Sequence, residues 1–75
     1  MTAARVMGMV PKSKKAAIRE VYIDSDGIWV ILNEGWNADG MDSRCRTIHC
    51  GDEEDVDSVE VVQDLKYQIG CIRKL

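Results

Sequence analysis

Two short β-rich runs joined by a four-residue turn constrain this chain more than any other feature. Ile18–Ile23 and Ile28–Leu32 are dense in β-branched and aromatic residues, and Asp24-Ser25-Asp26-Gly27 lies between them. Asp and Ser bond to nearby backbone and Gly27 tolerates positive φ, so the segment predicts a β-hairpin. Two registers are open. A four-residue loop sets Ile23 against Ile28, and a two-residue Asp26-Gly27 loop sets Ser25 against Ile28. Either one puts Val21, Ile23, Ile28, Val30 and Leu32 on one aliphatic face, because side chains alternate with a period of two. The opposite face then carries Ile18, Glu20, Tyr22, Trp29 and Ile31.

A third strand is predicted at Arg44–Cys50, with Ile48 and Cys50 inward and Cys45, Thr47 and His49 outward. The preceding stretch, Asn33 to Ser43, reads as a long loop with Gly35 and Gly40 as breakers and Trp36 between them. A helix follows. Asp57 as N-cap, Glu60 three residues on, and Val56 with Val61 as a hydrophobic staple mark its start. Val61, Val62, Leu65, Ile69 and Ile72 share one stripe, with Glu60, Asp64, Tyr67 and Cys71 opposite, and Gly70 stops the helix near Ile69. The expected fold is α+β: a three-stranded antiparallel sheet backed by one C-terminal helix.

At 75 residues, there is room for one small domain and no deep-pocketed second one. Residues 1–17 read as a basic arm ahead of a domain at 18–75. In that arm Val6–Val10 is a candidate fourth strand, stopped by Pro11, and Lys12-Ser13-Lys14-Lys15 is a solvated linker. The apolar run Ile28–Leu32 is far shorter than the roughly 20 residues a membrane span needs. Three cysteines, an odd number with no C-x-x-C pair, suggest reduced thiols in a cytoplasmic protein.

The pattern Tyr22-x-Asp24-x-Asp26-Gly27-x-Trp29-Val30, then Gly35-Trp36, then Thr47-Ile48-His49, resembles a type of short uncharacterised protein encoded in bacterial and phage genomes. The resemblance spans about residues 18–70 and leaves the arm out. It implies a phage or mobile-element context and carries no activity onto these residues.

Catalytic and metal chemistry find little support. Cys45, His49, Cys50 and Cys71 are zinc-ligand types, but on a strand Cys45 and His49 sit about 13 Å apart, too far to share one ion, and Cys50 points the other way. The same separation denies His49 a nucleophile in Cys45. Asp24-x-Asp26-Gly27 opens like a calcium loop yet has Trp29 where Gly is required and Gly35 where a bidentate Glu is required. No catalytic residue, metal or cofactor is expected.

Charge is strongly segregated. Residues 1–19 hold Arg5, Lys12, Lys14, Lys15 and Arg19 and no acid, whereas residues 20–65 hold all 13 acidic residues against Arg44 and Arg46. Two surfaces invite a partner. One is acidic and runs through Glu53, Glu54, Asp55, Glu60 and Asp64. The other is the hairpin face with Tyr22, Trp29 and Ile31, with Trp36 nearby in sequence; an apolar patch of this kind needs cover. Val6, Met7, Met9 and Val10 of the arm are the first candidate cover, and a second protein or a second copy is the other. The expected function is therefore non-enzymatic protein interaction or regulation. The alternative is nucleic-acid binding, in which Arg5, Lys12, Lys14, Lys15 and Arg19 grip phosphates and Tyr22 or Trp29 stacks on bases.

Overall fold

The computed structural model describes residues 1–38 and 46–75. It has the expected α+β architecture, in the order α1 (Ala3–Met9), a 3-10 helix (Lys12–Ala17), β1 (Ile18–Asp24), β2 (Gly27–Leu32), β3 (Trp36–Asn37), β4 (Thr47–Cys50), α2 (Val59–Gly70) and β5 (Arg73–Lys74). The main sheet is antiparallel in the order β1-β2-β4, and β3 pairs with β5 in a two-stranded sheet. Of the third strand expected at Arg44–Cys50, Thr47–Cys50 is present; Arg44 and Cys45 lie outside the described residues.

The hairpin takes the register with Ile23 opposite Ile28, and Asp24 opposite Gly27 closes it. The Asp24 carboxylate accepts the Asp26 N–H at 2.9 Å, the local bond that makes Asp a turn former. Gly27 has φ +119°, and a Cβ there would lie 2.5 Å from the carbonyl oxygen of Gly51. Glycine is thus demanded twice at this position, by conformation and by close backbone approach. A bulge between Ile18 and Glu20 shifts the alternation by one residue at Arg19. Ile18, expected on the outer face, packs against the core for that reason.

The buried core joins Ile28, Val30, Leu32, Ile48 and Cys50 of the sheet to Val61, Leu65 and Ile69 of α2 and to Ile72 just beyond it. Val6, Val10 and Ala17 belong to the same core. This corrects the expectation of a fourth strand from the arm. Thr2 caps α1 by accepting the Arg5 N–H, and helical spacing sends Val6 and Val10 to one side, whereas a strand would bury Gly8 with them. The supposed linker is the 3-10 helix. Asn33 ties it to the end of β2, its main-chain N–H donating to Ala17 O at 2.8 Å and its side-chain amide to Ala16 O at 3.0 Å. The arm is therefore an integral part of the domain, and it lies on the sheet's inner face rather than over Tyr22, Trp29 and Ile31.

The start of α2 also differs from expectation. Ser58, not Asp57, is the N-cap, its hydroxyl accepting the Val61 N–H at 3.2 Å. Asp57 instead pairs with the amino group of Met1, with Arg5 Nη1 3.8 Å away. These cations hold the Asp57 carboxyl below its ordinary pKa. The helix runs one residue past Ile69 to Gly70, and the tail beyond it forms β5 against Trp36 and Asn37.

Candidate interaction face

On the side of the main sheet away from the helices, the register aligns Tyr22, Trp29 and His49 across three neighbouring strands. Their rings stack in a row. Tyr22 and Trp29 have centroids 6.0 Å apart with planes 14° apart, and Trp29 and His49 are 4.0 Å apart with planes at 15°. Stacks of this kind add about 0.5–1.5 kcal/mol per pair beyond area burial.

The turn below fixes the row in place. Trp29 Nε1–H donates to Asp24 Oδ1 at 3.0 Å, the oxygen that also holds the Asp26 N–H. His49 Nε2 lies 2.5 Å from the Asp26 carbonyl oxygen. A carbonyl can only accept, so Nε2 carries the proton. Two of the three rings are thus bonded to the turn that sets the hairpin register. Glu20, Ile31 and Thr47 form the adjacent row on the same face. Tyr22 is 37% exposed, His49 and Thr47 are exposed, and Trp29 and Ile31 are half-buried. No described element packs over them.

The other sequence candidates are spread over the molecule. Trp36 sits in β3 and packs against the core, away from the row of rings. Much of the acidic segment is structural. Asp52 Oδ1 accepts the Glu54 and Asp55 N–H groups at 2.9 and 3.2 Å, and Asp55 Oδ1 accepts the Asp52 N–H at 2.7 Å. Asp64 Oδ2 accepts Gln68 Nε2 at 3.0 Å and lies 3.5 Å from Cys50 Sγ. Glu53, Glu54 and Glu60 are exposed, and their side-chain carboxylates make no hydrogen bond or ion pair to a described residue.

Among the basic residues, Lys14 Nζ donates to Gly70 O at 2.6 Å and Lys15 Nζ to Met7 O at 2.8 Å, while Lys12 and Arg19 stay exposed. Sequence reasoning missed the part Lys14 plays at the end of α2. A cation beside unpaired carbonyls is a familiar helix ending, but nothing local connects residues this far apart in the chain.

His49 and Cys50 project to opposite faces, and no cluster of three or more His, Cys, Asp or Glu among the described residues is placed to hold a metal ion. Cys50 is buried. That burial, reinforced by the Asp64 carboxylate, pushes its thiol up from 9.0 to about 12, the opposite of what a nucleophile or ligand requires. Among the described residues no helix is long and apolar enough to cross a membrane. Comparison with protein-family models, curated proteins and solved structures finds no match.

Proposed function

We propose that this chain is a non-enzymatic protein-interaction module whose binding surface is the outer sheet face, centred on Trp29 and flanked by Tyr22, Ile31 and His49. The observation that carries the reading is the row of stacked rings, facing solvent and braced by Asp24 and Asp26, while every described helix packs on the other side. Rigid aromatic side chains provide large contact area at low entropic cost, which is why Trp and Tyr recur as interface anchors. Glu20 and Asp24 at the margin give the face a negative rim suited to a basic partner.

Nucleic-acid binding has weaker support. Lys14 and Lys15 are engaged with main-chain carbonyls and Arg5 lies beside Asp57, while carboxylates stand next to the rings. A cytoplasmic setting and a phage or mobile-element origin belong to this proposal as context.

The test compares proteins captured from host lysate by wild type, by Tyr22→Ala/His49→Ala, and by Glu53→Lys/Glu54→Lys/Glu60→Lys, each checked for folding by circular dichroism. Loss of a captured protein with the ring variant and retention with the acidic-surface variant is the expected result. Retention by the ring variant with loss by the other would move the function to the acidic surface.

A further inference from the structure

The row of rings ends at a strand edge. β1 is outermost in the main sheet, with β2 as its partner. Its inward residues Val21 and Ile23 are half-buried, whereas Ile28, Val30 and Leu32 of β2 are fully buried, as expected when no further strand among the described residues lies alongside. Tyr22 turns one ring face to Trp29, and its other face looks over this edge. Glu20 and Asp24 stand two residues to either side of Tyr22, so alternation puts all three on one face. Both carboxylates are exposed, and Asp26 adds a third at the turn. Arg19, at the bulge, is the one cation in β1.

Resting on the interaction reading above, we propose that the occupant is an extended basic segment of another protein. It adds to the edge of β1 as a further strand, with an arginine over Tyr22 and a lysine or arginine two residues to each side, opposite Glu20 and Asp24. Adjacent strands lie about 4.8 Å apart, which brings a directly opposite guanidinium within the roughly 6 Å at which cations stack on aromatic rings. Main-chain bonds to this edge, which no described residue pairs, provide affinity and the alternating charges set register, the usual division of labour in strand addition. A second copy of this chain fits less well. Antiparallel self-pairing centred on Tyr22 sets Glu20 of each copy against Asp24 of the other, and like charges directly opposite weaken a ladder.

The experiment titrates the full-length ¹⁵N-labelled protein with two peptides of identical composition and follows backbone amide and tyrosine ring resonances. Thr-Lys-Thr-Arg-Thr-Lys-Thr places its basic residues on one face of a strand; Thr-Thr-Lys-Arg-Lys-Thr-Thr splits them between faces. The alternating peptide should shift β1 amides and the Tyr22 ring and bind about tenfold more tightly than the clustered one. Tyr22→Ala should weaken it by about tenfold, in line with loss of a cation–aromatic contact. N-methylation of alternate peptide amides should abolish binding. Equal affinity for the two peptides, or binding that survives N-methylation, would overturn strand addition. Concentration-dependent β1 shifts without peptide, with dimer in sedimentation, would replace the basic segment by a second copy. A ring face that captures a native partner while neither peptide binds would overturn this inference and leave the interaction reading standing.

Discussion

The thiol of Cys50 sits between the sheet and α2, 3.5 Å from Asp64 Oδ2 and 3.4 Å from Gln68 Nε2. The unfolded chain ionises it near 9.0 and the folded chain at about 12. Between those values the unfolded state releases a proton that the native state keeps, so stability present below pH 9 is lost as pH rises towards 12. Denaturant unfolding across that range should show the alkaline loss in wild type and less of it in Cys50→Ala. An equal loss in both proteins would show that the buried thiol is not its source. Gly27 is the second residue whose identity one position decides. Gly27→Ala should cost at least about 1–3 kcal/mol, the scale of a strained backbone conformation, with the clash at the Gly51 carbonyl added. A melting temperature within a degree or so of wild type would mean the hairpin end relaxes freely. The turn Asp24-Ser25-Asp26-Gly27 revealed this glycine's conformation in advance. Its proximity to Gly51 was not legible, because that contact exists only once β4 has paired.

At the scale of elements, the hairpin, the inward faces of β2 and β4 and most of the apolar stripe of α2 were readable, because each is a periodic pattern of buried residues; Val62 of that stripe lies outside the core, and Asp64, expected opposite it, reaches Cys50. The elements that differ are short or depend on distant partners. Val6–Val10 satisfies both periodicities over so few residues that composition cannot choose; packing of Val6 and Val10 beside the sheet chooses the helix. The bulge at Arg19 and the β3–β5 pair have no local signal, since each is defined by the strand opposite. The one-residue offset at the start of α2 arises because Asp57 and Ser58 are both good caps, and the cations at Met1 and Arg5 draw Asp57 away. Ser58→Ala should therefore lower stability by about 1 kcal/mol, as loss of an N-cap does, measured by urea unfolding. A negligible change would return the cap to Asp57. Val6→Ala should cost about 2 kcal/mol through lost burial and a cavity. A change below about 0.5 kcal/mol, the size of an ordinary surface substitution, would place α1 outside the core.

At the scale of the molecule, the described residues divide into a helical side and a side that no described element covers. α1, the 3-10 helix and α2 bury one face of the sheet, and the rings of Tyr22, Trp29 and His49 are displayed on the other. The sequence placed Tyr22 and Trp29 together outside. His49 joins them only through the β2–β4 register that sets it against Trp29, a pairing with no local signal in the chain. Nor did the sequence foresee that the arm leaves this face uncovered, because hydropathy alone cannot say on which side of a sheet an apolar helix docks.

The most direct measurement is site-specific photocrosslinking in host cells, with a photoreactive residue replacing either Tyr22 on the ring face or Tyr67, 73% exposed on α2. The account requires a discrete crosslinked protein from position 22 and none from position 67. Crosslinks from position 67 alone would contradict it.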